Sequence, residues 1–422
     1  MALPVITFLV ALAVISTERV HRTKVALIGA AIVVLFTAGY SQEAAIESVD
    51  FNTIGLLAGM MILVHVTQRT GIYDYIAIRA GQLSRGSPFL VVMSLAGTTA
   101  VLSAFLDNLT TILLVVPITF LLADTLDIDP IPLIVIEVIA SNIGGTATLI
   151  GDPPNIIIAG ATGLSFNAFI VNLAPVVVVT FAVVVSLLYL FYRRRLTIAE
   201  ENRRVIMELD ARASIEDPEE LRRTVPVLVL TVIAFFAHQT LHIEPATVAL
   251  TGAAVVLLVT RESVEDALSK IEWPTLFFFV GLFVMVGALE ESGAIGEVAT
   301  AVKDVTGGDR TAELFGILWV SAIGSGVVDN IPFTTAMIPV VRDLQEGAGA
   351  GGDDAYWWAL SLGACFGGNA TIIAAAANVA ASGLTERAGR PIGFLPFLKI
   401  GLPVMVVSLV IATAYVALRY VL

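Results

Sequence analysis

Leu102-Ser103-Ala104-Phe105-Leu106-Asp107-Asn108-Leu109-Thr110-Thr111, followed after an apolar run by Ser141-Asn142-Ile143-Gly144-Gly145-Thr146-Ala147-Thr148-Leu149-Ile150-Gly151-Asp152-Pro153-Pro154-Asn155, decides how this chain folds. Carboxylates, amides, hydroxyls, glycines and a double proline interrupt apolar runs long enough to enter a bilayer, where an unpaired backbone group is costly. Adjacent prolines inside such a run break a helix, because each lacks an N–H donor and clashes with the preceding turn. The stretch therefore predicts broken helices lining a polar cavity.

The same pattern occurs a second time. Val328-Asp329-Asn330-Ile331-Pro332-Phe333-Thr334-Thr335 repeats Leu106 to Leu113 at a shift of 222 residues. With one further residue inserted, Gly367-Gly368-Asn369-Ala370-Thr371 and Asn378 repeat Gly144-Gly145-Thr146-Ala147-Thr148 and Asn155. Helix-breaking polar motifs at matching places in two halves point to a transporter's binding site.

Composition sets the surroundings of these motifs. The chain has 422 residues, 57% of them hydrophobic and 14% charged, where a soluble domain carries about 25% charged residues. It reads as an integral membrane protein, and Leu3 to Ile15 as a first span rather than a removed signal, since no small-residue cleavage site follows. The net charge of -13 comes largely from polar loops such as Gln42 to Asp50, Glu200 to Glu220 and Glu346 to Asp354. An acidic chain without basic clusters beyond its membrane-flanking loops is not expected to bind nucleic acid. The one cysteine, Cys365, excludes an internal disulfide and reads as a packed small residue. Scattered histidines give no zinc site, and without a Walker lysine motif the chain is not its own ATPase. No catalytic residue and no cofactor is expected, apart from sodium if that is the coupling ion.

Spans are expected near 3–17, 24–39, 53–70, 172–192, 225–239, 246–260, 274–290 and 400–420, with broken ones at 131–158 and 356–384. Between 70 and 88, a segment with Tyr73, Tyr75, Arg79 and Arg85 reads as amphipathic and interfacial, and Phe277 to Phe279, Trp357 and Trp358 read as membrane-facing or interfacial aromatics. Arg19, Arg22 and Lys24, then Arg69, Arg79 and Arg85, then Arg193 to Arg195 mark cytoplasmic loops. They agree only if the stretch 88–123 enters and leaves on the cytoplasmic side, as a re-entrant hairpin with Asp107-Asn108 at its tip. The reading is thus an all-α polytopic protein of two inverted-topology repeats, each with about five transmembrane helices and one re-entrant hairpin. The repeats are 1–192 and 224–422, the second with its hairpin at 312–345, joined by a cytoplasmic linker at 193–223. Both termini are then outside, and the host is the cell (inner) membrane; Lys303 and Arg310 fall outside, against the rule.

The motif residues divide by chemistry. Asp107 and Asp329 stand where N-caps would, ahead of Thr110, Thr111, Thr334 and Thr335, with Pro332 in a first turn. Serine or asparagine would cap as well, so carboxylates at membrane depth ask for a cation or proton. Asn108 and Asn330 follow them. Gly144, Gly145, Thr146, Thr148, Gly367, Gly368, Asn369 and Thr371 offer unwound backbone, hydroxyls and amide oxygen suited to a hard cation, or close helix packing. Asn142, Asn155 and Asn378 complete the ion-binding set, and Asp152, whose counterpart is an alanine, makes it asymmetric. Glu137, about two turns before the first glycine pair and opposite Leu360, joins Asp107 and Asp329 as a candidate proton carrier. His65 reads as packing.

Together these motifs resemble the ion transporter superfamily, in the branch of the melanosomal P protein and its prokaryotic relatives, grouped with arsenite permeases and the NhaD type of sodium/proton antiporter. The likeness covers nearly the whole chain. It implies a homodimer with a scaffold and a moving transport domain, and elevator-like alternating access. In the related dicarboxylate carriers the hairpin tips read Ser-Asn-Thr, where this chain has Asp107-Asn108-Leu109 and Asp329-Asn330-Ile331, and carboxylates there would repel a carboxylate substrate. The expectation is a secondary transporter coupled to protons or sodium, with sodium/proton antiport first. An arsenite or antimonite efflux permease, served by a soluble ATPase partner if it is a pump, and an ion channel are the alternatives. The passenger is thus a small inorganic ion or a metalloid.

Overall fold

A computed structural model describes residues 2–17, 19–85, 87–198, 210–347 and 354–422. Among them the chain is helical throughout, without a strand. The first half runs α1 (Ala2–Ser16), α2 (Arg22–Phe36), α3 (Gln42–Glu47), α4 (Phe51–Gln68), α5 (Ile72–Leu83), α6 (Pro88–Phe105), α7 (Asn108–Leu126), α8 (Pro130–Gly145), α9 (Pro153–Thr162) and α10 (Phe166–Tyr192). The second repeats that order: α11 (Pro218–Leu241), α12 (Pro245–Val259), α13 (Val264–Ser269), α14 (Trp273–Glu291), α15 (Ala294–Thr306), α16 (Arg310–Val327), α17 (Asn330–Gly347), α18 (Ala355–Gly367), α19 (Ala376–Arg387) and α20 (Phe394–Val416). Every helix of one half has its equivalent ten places on.

Among the described residues seven helices are long and apolar enough to cross a membrane, and α1, α8 and α12 are shorter apolar ones. An 18-residue helix such as α6 reaches about 27 Å at 1.5 Å per residue, close to the hydrocarbon thickness of about 30 Å.

Packing between the halves is reciprocal: α4 lies on α12 and α2 on α14, while α7 packs on α19 and α17 on α9. Each contact reappears with the halves exchanged, which is what a two-fold relation between the repeats demands. Close approach relies on glycine. A Cβ on Gly59 would strike the backbone of Ala249 in α12, and one on Gly281 the backbone of Ala26 in α2. Likewise Gly144 in α8 meets the Ala100 backbone of α6, and Gly367 in α18 that of Ala322 in α16. Small residues at such crossings let helix backbones touch where lipid offers no hydrophobic drive.

Several sequence expectations are corrected here. Trp357 and Trp358 are not interfacial: they are 3% and 2% exposed, because α18 is enclosed on every side. Trp358 stacks edge-on against Phe169, and Trp357 Nε1 donates to Gln345 Oε1 at 2.9 Å. Phe278 and Phe279 are buried and only Phe277 faces outward. Helix α5 packs on α6 and α7 with Tyr73 buried, while Arg79 and Leu83 stay exposed. Its repeat α15 went unread in the sequence, as did the six-residue α3 and α13. Of the linker, 199–209 lies outside the described residues; Ala211–Ser214 forms a 3₁₀ turn, and α11 starts at Pro218, capped by Asp217. Most of the acidic stretch Glu346 to Asp354, at 348–353, also lies outside them.

Candidate functional site: two helix-hairpin tips on one carboxylate

Helices α6 and α7 are antiparallel neighbours joined at Leu106-Asp107, and α16 and α17 repeat this at Val328-Asp329. Asp107 caps α7, accepting from Thr110 N at 2.8 Å and Thr110 Oγ1 at 2.5 Å. Asp329 accepts from Ile331 N at 2.9 Å, and its other oxygen, Oδ2, pairs with Arg22 Nη1 at 3.2 Å. The capping role is therefore real for both, and each carboxylate keeps a further task.

Beside the tips, helix stops at Gly145 and resumes at Pro153 in one half, and stops at Gly367 and resumes at Ala376 in the other. The asparagine that opens each second segment ties down the unwound chain. Asn155 Nδ2 donates to the carbonyls of Thr146 and Thr148 at 3.1 and 2.8 Å, and Asn378 Nδ2 to those of Gly368 and Thr371, both at 2.7 Å. Threonine hydroxyls anchor the same strands to the hairpins: Thr148 to the carbonyl of Ala104, and Thr371 to that of Gly326 at 2.9 Å. Breaks of this kind survive in a membrane because side chains re-satisfy the freed backbone.

Hydrogen bonds of Asp152, Asn142 and Asn155 tie the halves together. Asn108 Nδ2 and Asn330 Nδ2, one from each tip, donate to the same atom, Asp152 Oδ1, at 3.2 and 3.1 Å. Asn142 Nδ2 donates across to Asn369 Oδ1 at 3.1 Å and Asn378 Oδ1 at 2.9 Å, while its own oxygen lies 3.4 Å from Asn108 Nδ2. Asp152 is fully buried within electrostatic reach of Asp329 and Asp107; the Cys365 thiol lies beside it, and its Oδ2 receives no amide or hydroxyl donor. Asn369 Nδ2 has no hydrogen-bond partner. A buried carboxylate oxygen without an amide or hydroxyl donor carries a heavy desolvation cost, which a proton or a cation would relieve.

The expected residues separate accordingly. Asp107, Asn108, Asn142, Asp152, Asp329, Asn330, Asn369 and Asn378 form one cluster, with Asn155, Thr146, Thr148, Gly368 and Thr371 as its backbone supports. Gly144 and Gly367 serve helix crossings, and Gly145 meets the backbone of Gly151. Thr110 is held by Asp107, Thr334 Oγ1 returns to the carbonyl of Asn330 at 2.7 Å, and the Thr111 hydroxyl is buried without a partner. Glu137 is not brought in: it sits between α7 and α8, accepting from Thr119 Oγ1 at 2.6 Å.

Three residues escaped the sequence reading. Cys365 and Ser361 both donate to Asn155 Oδ1, at 3.7 and 2.6 Å. On the repeat register Cys365 falls on Asn142, so the pair Cys365–Asn155 is the image of Asn142–Asn378, and the register was the signal that could have found it. Arg22 is the third.

A cavity of about 420 Å³ leads to the tips, lined by Val20, His21, Arg22, Leu109, Asp329 and Ala376 among others. On the opposite side a smaller one, about 170 Å³, lies between Asp50, Ile157, Phe283 and Arg342 and includes neither tip aspartate.

Comparison with known proteins accords with this architecture. Residues 12–363 match the model of the family described as CitMHS, citrate transporter. Rv2684 of Mycobacterium tuberculosis, named an uncharacterized transporter, is 43% identical over 417 residues, 98% of this chain and 97% of that protein. The human P protein is 34% identical over 491 residues, 97% of this chain and 59% of that longer protein. The crystal structure of the Alcanivorax borkumensis YdaH transporter shares the fold, with a TM-score of 0.61 at 15% identity over 91% of this chain and 87% of that one. With most of its length matched by that family model and nearly all of it by transporter relatives, the chain belongs to the CitMHS citrate transporter family and is an integral membrane transporter.

Proposed function

We propose that the chain is a secondary active transporter coupled to protons or sodium, with sodium/proton antiport as its leading form, and that the cluster around Asp152 is its ion site. One observation carries this: amides from both hairpin tips converge on a single oxygen of a buried carboxylate, while its other oxygen receives no amide or hydroxyl donor and the carboxylate has only the weakly donating Cys365 thiol beside it. Such a carboxylate suits an ion that comes and goes, because loading and unloading change the charge that holds two helix tips together. Freed carbonyls and amide oxygens nearby match the preferences of a hard cation.

The unequal cavities support alternating access. In this state the tips are reached from the side of the α1–α2 loop, which carries Arg19, Arg22 and Lys24 and is cytoplasmic on the charge rule. On this reading the hairpins are re-entrant, the two repeats lie inverted in the cell membrane, both termini are outside, and 193–223 is inside. Carrier motion of the α6–α10 and α16–α20 group against α1–α4 and α11–α14, in a homodimer, would expose the site to the other side.

Citrate is the cargo in the family's description, yet Asp107, Asp152 and Asp329 form a poor host for a free tricarboxylate. The deciding experiment is flux in proteoliposomes of the purified chain, under imposed sodium or pH gradients, with citrate and arsenite as alternative cargoes. Sodium-driven proton movement that Asp107→Asn abolishes, in a protein that remains folded, is the expected result. Flux unchanged by Asp107→Asn would reject the reading; citrate or arsenite uptake without sodium or proton coupling would replace it. Current that never runs against a gradient would make the protein a channel.

A further inference from the structure

Arg22 stands where an arriving cation would have to stand. It is the first residue of α2, its side chain only 24% exposed, with Nη1 at 3.2 Å from Asp329 Oδ2 and the guanidinium carbon 5.2 Å from the centre of the Phe278 ring. With His21 it lines the cavity that opens onto Leu109 of one tip and Asp329 of the other. Helix α2 packs on α1 and α14, so the ion pair joins one group of helices to a hairpin tip of the other.

The repeat shows that this cation is placed on one side only. On the register that aligns Val25-Ala26-Leu27 and Gly29-Ala30-Ala31 of α2 with Val248-Ala249-Leu250 and Gly252-Ala253-Ala254 of α12, a shift of 223, Arg22 becomes Pro245, which carries no charge. Asp107, the equivalent of Asp329, has Thr110 rather than a basic side chain as its partner. Glu272, whose Oε2 accepts from Thr275 Oγ1 at 3.2 Å, lies within electrostatic reach of both Asp107 and Arg22. Among the described residues Arg22 thus pairs with one tip aspartate, while no basic side chain is bonded to Asp107 or Asp152.

We propose that Arg22 is a built-in counter-cation: its guanidinium occupies Asp329 while the site is empty, and a small monovalent cation entering through the cavity displaces it. Two positive charges cannot both claim one nearly buried carboxylate without strong mutual repulsion. Loading the site would thus free the α17 tip from α2, making occupancy a condition of tip movement, and Arg22 would set the cation affinity. This rests on the cation-coupled reading above, and the experiment separates the two.

Sodium is titrated against the purified full-length protein at constant ionic strength with choline, reading thermal stabilisation and binding of radioactive sodium, for wild type, Arg22→Gln, Arg22→Lys and Asp107→Asn. Because an opposite charge at this range weighs about tenfold or more on a carboxylate's occupancy, Arg22→Gln should lower the half-saturating sodium concentration by about that factor. Arg22→Lys should stay near wild type. In parallel, Val328→Cys reports the tip through maleimide labelling, Cys365 being buried. Labelling should rise with sodium when Arg22 is present and be already fast in Arg22→Gln. Wild-type half-saturation together with wild-type labelling in a folded Arg22→Gln protein overturns the proposal. If Asp107→Asn abolishes the sodium response and Arg22→Gln changes nothing, only Arg22's role falls. If Asp107→Asn is also silent, the ion-site reading falls. Should wild type ignore sodium altogether, equal labelling of Arg22→Gln and the Arg22 background still refutes the tether.

Discussion

Asp152→Asn is the substitution that bears most directly on the site, because it alters charge and almost nothing else. The new side chain keeps an Oδ1 able to accept from Asn108 and Asn330, which now donate at 3.2 and 3.1 Å. Each bond loses its ionic partner, and since bonds to charged groups contribute about 1.5–3 kcal/mol against about 0.5–1.5 for neutral ones, the two tips together lose about 2–3 kcal/mol of mutual attraction. The larger effect falls on the passenger. A unit charge about 4 Å from a carboxylate gains about 4 kcal/mol at the effective dielectric of a protein site. Losing that attraction weakens binding by about a thousandfold, at about 1.4 kcal/mol per tenfold. Relaxation of the neighbouring amides returns part of it, so a loss of about a hundredfold or more in sodium affinity is expected. The assay is a sodium titration of the unfolding midpoint, balanced with choline, together with sodium uptake into proteoliposomes. A folded Asp152→Asn protein that saturates at the wild-type sodium concentration would refute the reasoning, since no charge would then be doing the holding.

Two further predictions test the scaffold. Gly144→Ala and Gly367→Ala each drive a Cβ into the backbone of the neighbouring helix and should cost about 1–3 kcal/mol as overpacking, lowering the thermal midpoint in detergent. Gly316→Ala in α16, where a Cβ meets nothing within 4 Å, should instead stabilise by about 0.5–1 kcal/mol through helix propensity; equal effects at all three would deny that the crossings need glycine. Asp217 caps α11 through the backbone N–H groups of Glu220 and Glu219, which hold its carboxyl below the usual aspartate range. Its contribution is therefore present above the ordinary value of about 3.9 and fades as pH falls through the lowered one. Acidification and Asp217→Ala should speed hydrogen exchange at Glu219 and Glu220 alike, after correction for intrinsic rates, and unchanged protection would remove the cap from the account.

How much the sequence disclosed depends on how locally each feature is encoded. Helix breaks are local: Gly-Gly, Pro-Pro and Asp-Asn disfavour continuous helix whatever surrounds them, so α6 to α9 and α16 to α19 were legible within a few residues. The cluster around Asp152 was legible through duplication, because motifs that recur at a fixed shift must occupy equivalent places in two similar folds. Enclosure, by contrast, stayed hidden. Trp357 and Trp358 look interfacial until α18 is seen to be wrapped on all sides, and no composition rule reports which helix stands in the middle of a bundle. In the sequence Arg22 served only to orient the membrane, since a lysine- and arginine-rich loop end satisfies that rule whether or not one of its side chains turns inward. Cys365 was hidden by its apolar neighbours, although its register with Asn142 was in plain view.

The departures from symmetry carry more functional weight than the symmetry. Two equivalent halves would yield two equivalent sites, each with its own tip aspartate and its own asparagine. Instead Asp152 faces Ala375, Asn142 faces Cys365, Glu137 faces Leu360 and Arg22 faces Pro245 across the repeat. The first of these substitutions leaves one aspartate to which the asparagines of both tips donate, so both tips close on the same residue rather than on separate partners. One shared acceptor makes the positions of the tips interdependent: whatever neutralises Asp152 is felt by Asn108 and Asn330 together. A carrier needs that coupling, since its barrier on one side has to respond to occupancy that arrived from the other, and two independent sites would allow one tip to open while the other remained loaded. On the proposal above, Arg22 gives the coupled site a direction, because among the described residues a basic side chain pairs with Asp329 of one tip and none pairs with Asp107 of the other.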